Sequence, residues 1–126
     1  MINVNETDNG RDIYKKFIDD LVEDEINVSA KLIEEQGIYA KDDELHSLND
    51  FVSRLNEVDR DILIKMLKEE RKNVTHDILA TLTWLIDCYD VTICHKGKEM
   101  PVQLSGMGLH GDYIGRIQGW EWPVEE

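Results

Sequence analysis

A long stretch of helical periodicity constrains the fold of this chain more than any other feature. Between about residues 57 and 88, apolar side chains recur three or four positions apart, which is the spacing of one face of an α-helix. An unbroken helix there would be on the order of 45 Å long at about 1.5 Å per residue. The stripe consists of Leu63, Leu67, Val74, Ile78, Leu82 and Leu85. Because residues 78–86 are apolar on most sides, we expect this half of the helix to lie in the middle of the core.

The N-terminal third also has helical spacing. Asp8 or Asn9 can cap a helix that begins near Arg11, and its apolar positions repeat three and four apart. The pattern blurs over residues 25–27 and resumes until Gly37, which can close a helix in the left-handed conformation. These residues therefore predict either one long helix or two helices with a bend.

Another helix is predicted between that segment and the long one. The acids of residues 42–44 suit the positive end of a helix dipole, and apolar positions follow at helical spacing up to residue 55. Asn56 then marks both the end of this helix and the cap of the long helix. Asp59, three residues later, gives a pattern similar to a capping box.

The C-terminal third changes its period and predicts a β-hairpin. Val91–His95 is rich in β-branched residues, Lys96–Lys98 is a turn signal, and Met100–Leu104 forms the returning strand. Pro101 limits that strand to an edge position. The glycine-rich residues 105–111 are predicted to be a loop, and Asp112 is predicted to cap a short helix that ends near residue 119.

These elements predict an α+β fold that is mainly α. We expect three or four helices in a bundle-like core around a long central helix, with a C-terminal β-hairpin. With 126 residues, of which 41% are hydrophobic, the chain suffices for one core, so residues 1–126 are expected to form a single domain. Trp120 and Trp122 alternate, so one could pack into the core and the other face outward at an interface. The favoured interpretation is that they cover the core edge, because each ring buries a large area.

The cysteines and the first residues bear on the cellular compartment. Cys88 and Cys94 have five residues between them, which matches no common zinc or redox motif, so reduced structural thiols are expected. No apolar run is long enough to span a bilayer, and the first residues lack the basic start and apolar stretch of a signal peptide. We therefore expect a cytoplasmic protein that does not contact membrane.

Charge is distributed unevenly along the chain. Residues 1–61 carry 17 acidic and 7 basic side chains, and residues 62–126 carry 10 and 7, so the net charge of −13 divides into −10 and −3. A folded surface this acidic repels nucleic acid and attracts basic proteins. Five acids fall within residues 19–25, which is either a solvated helix face or a docking patch. The candidate partner-binding residues are Asp19, Asp20, Glu23 and Asp24.

The candidate residues for chemistry lie on the long helix. Glu69, Asn73 and His76 share one face by their spacing, and Glu70 and Asp77 lie on the adjoining face. Glu70, His76 and Asp77 are the catalytic candidates, as a metal or acid–base site. The alternative is a helix leaving the core, with Glu70 in an ordinary ion pair and His76 on the surface.

Too few further ligands are available to hold a metal tightly at that face. His46 is the only other histidine on a predicted helix, so no metal and no cofactor are expected.

Several segments together resemble a known group of proteins. They are Asn56–Arg60, Glu69–Arg71, His76–Leu79 and Trp120–Pro123. In these the chain is similar to small uncharacterised bacterial proteins grouped as a domain of unknown function, a resemblance that implies no activity and no site residues. Small size and acidity are also similar in character to bacterial immunity proteins, which neutralise nuclease toxins by covering their basic active sites.

We therefore predict a non-enzymatic, acidic protein-binding module of the immunity or inhibitor type that acts on a basic partner. The alternative is a small metal-dependent hydrolase or ligand-binding helical protein that uses residues of the long helix. A homodimer with a structural role is the third possibility. The hydrolase alternative depends on Glu69, Glu70, Asn73, His76 and Asp77.

Overall fold

The computed structural model describes residues 2–23 and 27–124. Its helices are α1 (Gly10–Glu23), α2 (Val28–Gln36), α3 (His46–Ser53), α4 (Glu57–Tyr89) and α5 (Gly108–Ile117). One turn of 3-10 helix, Asp43–Leu45, precedes α3. Between α4 and α5 lies an antiparallel hairpin of two short strands, β1 (Cys94–His95) and β2 (Lys98–Glu99). The predicted fold class, mainly α with a long central helix and a C-terminal hairpin, is confirmed.

The chain divides into two compact units. The terminal unit joins Met1–Asp24 to Val74–Glu126, and the middle unit is Glu25–Asn73. Each unit has a hydrophobic cluster of its own, and α4 supplies a buried side chain to both, Ile64 in the middle unit and Leu79 in the terminal unit. A single domain over residues 1–126 stays a prediction.

The core of the terminal unit forms where α1 packs against α5 and the second half of α4. Its buried side chains are Tyr14, Ile18, Leu79, Leu109 and Tyr113. On α1 the spacing of four between Tyr14 and Ile18 turns both toward the core, whereas the neighbouring apolar residue Phe17 is exposed.

Local capping sets where α1 begins. The Asn9 side chain accepts from the Asp12 amide at 2.9 Å, and the Asp12 carboxylate accepts from the Asn9 amide at 3.1 Å. This reciprocal pair is a capping box, so the predicted Asn9 cap is confirmed.

The middle unit is built on short helices around an aliphatic cluster of Ala30, Ile33, Val52 and Ile64. Asn27 has an extended backbone, and its side chain accepts from the Ala30 amide, so α2 begins anew there. The two-helix alternative therefore holds. Gly37, with φ 68°, closes α2 in the left-handed conformation, as predicted.

The long helix α4 begins where the sequence predicts. The Asn56 side chain accepts from the Asp59 amide at 2.8 Å, and α4 runs for 33 residues. Despite that length, none of the described helices is long and apolar enough to cross a membrane.

The single apolar stripe predicted along α4 is not buried throughout. Val74 and Ile78 are 46% and 63% exposed, whereas Leu79 and Thr83 are buried. Thr83 Oγ1 accepts from the Leu109 amide at 2.9 Å and donates to the Leu79 carbonyl at 2.8 Å. The second half of α4 is therefore buried on the face that meets α5. Of the predicted stripe, Leu82 packs against this cluster, whereas Val74 and Ile78 are exposed.

The hairpin is shorter than predicted. Lys96 and Gly97 both have positive φ, 50° and 76°, as a tight two-residue turn requires. Past the Met100 amide, which donates to the Ile93 carbonyl at 2.7 Å, the returning strand ends. Pro101 has no amide hydrogen to continue the ladder, so the predicted strand over residues 100–104 is wrong.

The predicted role of Asp112 as a helix cap is also wrong. α5 begins at Gly108, within the predicted loop, and Asp112 lies inside the helix and is fully buried. Its carboxylate accepts from the amides of Leu104 and Ser105 at 2.9 and 2.8 Å. Asp112 therefore accepts hydrogen bonds from the segment that precedes its own helix. The spacing of residues along the chain does not indicate this contact.

Candidate functional site

The five residues predicted on α4 divide between the two units. Glu69, Glu70 and Asn73 belong to the middle unit and are exposed, and Glu69 lies 3.3 Å from Lys72 Nζ. The exposure of Glu70 agrees with the alternative of a helix leaving the core. Among the described residues, no group of three or more His, Cys, Asp or Glu side chains is arranged to hold a metal ion.

His76 and Asp77 lie in the terminal unit beside a third polar group. His76 Nδ1 is 3.2 Å from Asp77 Oδ1, and the His76 ring makes an edge-to-face contact with the His110 ring, with centroids 5.2 Å apart. The His110 ring lies directly over Gly108, where a Cβ would come within 2.5 Å of it. His110 Nδ1 is buried, without a hydrogen-bond partner among the described residues. The structure thus adds His110 to His76 and Asp77.

The acidic residues of α1 are less available than predicted. Asp19 is half-buried and lies 2.6 Å from Arg116 Nε, and Trp122 Nε1 donates to it at 3.0 Å. Asp20 is half-buried, Glu23 is exposed, and Asp24 lies outside the described residues. Asp19 therefore helps to hold α5 and the C-terminal segment on α1, which leaves fewer acids for a docking patch.

Trp120 and Trp122 both cover the core edge, in agreement with the favoured interpretation of the sequence. Each is half-buried, and their rings meet edge to face at 5.2 Å. The Arg116 guanidinium lies over the Trp122 ring, 5.2 Å from its centroid. Together with Asp19 these residues form an internal cluster in which an arginine is held by an aromatic face and a carboxylate.

The most buried polar group of the terminal unit is the Asp112 carboxylate. Besides two backbone amides, it accepts a hydrogen bond from the Tyr14 hydroxyl. Burial raises the pKa of Tyr14 above its ordinary value, and the hydrogen bond to Asp112 raises it further. With three donors on one carboxylate, Asp112 of α5 is linked by hydrogen bonds to α1 and to residues 104–105, which is a structural role here called a fastening.

A cavity of about 670 Å³ lies where α1 begins and the hairpin turns. Both basic and acidic side chains line this cavity, so their charges largely offset each other. Asp8, at its edge, accepts a hydrogen bond from Lys16 at 2.6 Å, which together with the Asn5 amide holds the pKa of Asp8 below its usual range. The charged side chains of the lining are Asp8, Arg11, Lys96, Lys98 and Glu99.

The largest departure from the predicted core is an exposed apolar surface on α4, here called the α4 surface. Its six residues line a shallow depression of about 480 Å³ in the terminal unit. They are Val74, Asp77, Ile78, Thr81, Leu82 and Leu85. Val74 and Ile78 are exposed, and Leu82 and Leu85 are half-buried. A contiguous set of accessible apolar groups is typical of interaction surfaces.

Two aromatic rings lie next to this surface. Trp84 follows Thr81 by three residues, so it is its neighbour on the next helical turn. The rings of Trp84 and Tyr89 meet edge to face with centroids 4.8 Å apart, and the two residues are 54% and 61% exposed. Residues 73–95 contain three aspartates and neither lysine nor arginine. The α4 surface and its aromatic pair therefore lie in an acidic setting.

Comparison with known proteins gives one match. A family of unknown function, DUF6547, matches residues 7–124, which is nearly the whole chain. The chain belongs to DUF6547. No curated protein and no solved structure matches it. The predicted resemblance to a domain of unknown function is confirmed, and the family supplies no activity or site residues.

The α4 surface of this DUF6547 member was missed because the run from Ile78 to Ile86 was assigned to the core as a whole. A sequence signal was nevertheless present. A helix that is apolar on most sides can bury only the faces that other elements cover, and the chain offers few further elements to cover it. The other signal is that residues 73–95, around Trp84 and Tyr89, contain three aspartates and neither lysine nor arginine. Cys88 and Cys94, in the same stretch, are free and exposed.

Proposed function

We propose that this DUF6547 member is a protein-binding module that docks on a basic partner, as an inhibitor or immunity protein does. The α4 surface, with Trp84 and Tyr89, is the proposed contact region. The observation that carries the proposal is the exposure of Val74, Ile78, Trp84 and Tyr89 within residues 73–95, which contain three aspartates and neither lysine nor arginine.

Burial of the apolar side chains supplies the affinity in this proposal. Each square ångström of apolar surface removed from water contributes about 25 cal/mol, and tryptophan and tyrosine are enriched among the residues that dominate binding energies. Ile78 and Trp84 are the largest exposed side chains in the middle of the region. Their loss should therefore remove most of the binding.

The acidic residues supply the choice of partner. Asp77, Asp87 and Asp90 are exposed around the apolar side chains, and the whole chain has a net charge of −13. The negative electrostatic field of these side chains accelerates encounters with basic proteins and disfavours binding of acidic ones. Salt weakens this field, with a screening length of about 8 Å at 0.15 M. Glu23 and Asp20 on α1 add to this field.

The other predicted functions are not favoured by a specific contact. A metal-dependent hydrolase that uses Glu69, Glu70, Asn73, His76 and Asp77 stays a prediction, as does a structural homodimer.

Partner capture from the source lysate tests the proposal. The test variant carries Ile78→Ser and Trp84→Ala, which remove apolar area from the proposed contact region. The matched control carries Val28→Ser and Val58→Ala, two residues that are exposed to similar degrees in the middle unit. We expect the wild type and the control to retain the same basic protein, and the test variant to lose it.

Salt dependence gives the second criterion. Association of the captured protein should slow by about tenfold or more between 0.05 and 0.5 M salt if acidic residues steer it. Equal retention by the test variant, at an unchanged melting temperature, would overturn the proposal, and so would a captured partner that is itself acidic.

A further inference from the structure

We infer that the Trp84–Tyr89 pair receives an arginine side chain of the basic partner. The inference rests on the proposed function and adds to it the chemical group that the surface recognises. Trp84 and Tyr89 provide the aromatic faces, and Asp87 and Asp90, in the same two turns of chain, provide carboxylates.

The aromatic pair is held in place by the end of α4. Asp90 directly follows Tyr89 and has a left-handed backbone, with φ 56°. The Val91 amide then donates to the Leu85 carbonyl at 3.3 Å. The two rings meet at 74°. Because the backbone on both sides of Tyr89 is fixed and the rings support each other, the pair presents an organised aromatic surface to solvent.

One of the neighbouring carboxylates is also oriented. Gln103 Nε2 donates to Asp87 Oδ1 at 2.9 Å, which ties the side chain to the loop before α5. Asp90, three residues later in the chain, is exposed. An arginine over the rings would donate its N–H groups to these carboxylates, and its planar guanidinium stacks on aromatic faces as an ammonium group does not.

The internal cluster of the same molecule has the corresponding components. There the Arg116 guanidinium lies over the Trp122 ring and is bound by the Asp19 carboxylate at 2.6 Å. The Trp84–Tyr89 pair has aromatic rings and carboxylates as well, yet residues 73–95 contain no arginine or lysine. The component that is missing from this stretch is the cation, which is why we assign the cation to the partner.

Titration of the full chain with a hexa-arginine peptide tests the inference, with the indole N–H resonance of Trp84 as the readout in nuclear magnetic resonance. Assignment uses Trp84→Phe, since Trp120 and Trp122 contribute the other indole signals. We expect a saturable shift of the Trp84 signal. A hexa-lysine peptide of equal charge should bind there about fivefold more weakly, which corresponds to about 1 kcal/mol for a cation over an exposed ring.

Two charge-matched variants separate a specific site from general attraction to an acidic protein. Asp87→Asn with Asp90→Asn should weaken hexa-arginine binding at Trp84 by about fivefold. Glu34→Gln with Glu35→Gln removes the same charge from exposed positions on α2 and should change it by less than twofold. The inference is overturned if both variants weaken binding equally, if the lysine peptide binds as well as the arginine peptide, or if the Trp84 signal does not move.

The peptide titration needs no partner, and partner capture needs no peptide. If Ile78→Ser with Trp84→Ala loses the captured protein while the Trp84 signal ignores the arginine peptide, the arginine assignment fails and the proposed function stands. If the variant keeps the captured protein, the proposed function itself fails.

Discussion

The two compact units of this chain differ in the interactions that stabilise each of them internally. In the terminal unit the buried cluster surrounds a charged group, Asp112, which fastens α1, α5 and residues 104–105 through three hydrogen bonds. The buried cluster of the middle unit is aliphatic, with Ala30, Ile33, Val52 and Ile64. The terminal unit therefore adds to its hydrophobic cluster a buried carboxylate that is bonded to distant parts of the sequence, whereas the buried cluster of the middle unit is purely aliphatic.

The difference matters for function because the α4 surface lies in the terminal unit. The packing of Leu79, Leu82 and Thr83 in this unit holds the second half of α4 in place, while Val74 and Ile78 stay exposed. Exposed apolar side chains such as Ile78 are then available to contact a partner. In the middle unit the Asn49 side chain accepts from the amides of Tyr39 and Ala40 and donates to the Ala40 carbonyl, and the Asn27 side chain donates to the Leu67 carbonyl at 3.2 Å.

The largest expected effect follows from removal of the buried carboxylate. Asp112→Ala leaves the Tyr14 hydroxyl and two amides without their acceptor and opens a void. We expect a loss of about 4 kcal/mol in the free energy of unfolding. Urea denaturation measures it, and Glu121→Ala, at an exposed position, should change it by less than about 0.5 kcal/mol. A loss below about 1 kcal/mol for Asp112→Ala would contradict the fastening role.

The aliphatic core should respond to a change of volume. Ile33→Ala deletes three carbons from a fully buried side chain and should cost about 3 kcal/mol. Hydrogen exchange measured by mass spectrometry sharpens the comparison between units. We expect Ile33→Ala to lower protection mainly in α2 and α3, and Asp112→Ala to lower it mainly in α1 and α5. Equal loss of hydrogen-exchange protection in both units from either variant would contradict this difference between the units.

Alkaline pH should affect the terminal unit through Tyr14. Its pKa is raised in the folded state, so above pH 10 the unfolded chain loses a proton that the folded chain keeps. The contribution is complete below about pH 10 and declines above it, by up to about 1.4 kcal/mol per pH unit. Comparison of urea denaturation at pH 9 and pH 11 measures this decline.

Variants at two tyrosines isolate the Tyr14 contribution. Tyr14→Phe should be less stable at pH 9 but should lose less on going to pH 11, whereas Tyr89→Phe, at an exposed position, should decline as the wild type does. The same decline in Tyr14→Phe as in the wild type would show that Tyr14 is not responsible.

The smallest effect is expected at the end of α2 in the middle unit. Gly37 has φ 68°, and a Cβ there would meet the Arg60 side chain at 3.4 Å, which is ordinary contact. Gly37→Ala should therefore cost only the left-handed backbone term, about 1 kcal/mol. Gly37→Asn, which tolerates that conformation better, should cost less, and the reverse order in thermal denaturation would contradict this explanation.

The sequence by itself determined the local structure. The caps at Asn9 and Asn56, the closure at Gly37 and the long helix from residue 57 were predictable, because each depends on hydrogen bonds or spacing within a few residues. The acidic character follows directly from the composition, with a net charge of −13. Of the candidate catalytic residues, His76 and Asp77 are in contact because they are adjacent on one helix, and a catalytic role for them stays a prediction.

The tertiary structure decided which side chains these elements bury. Leu79 and Thr83 lie inside, and Val74 and Ile78 outside, because α5 covers one face of α4 and not the other. Asp112 became a fastening, and Asp19 an internal partner of Arg116, through contacts across about a hundred residues of chain. Helical spacing specifies which residues share a face, but only the packing of distant segments specifies which face meets water, and the proposed site on α4 depends on that choice.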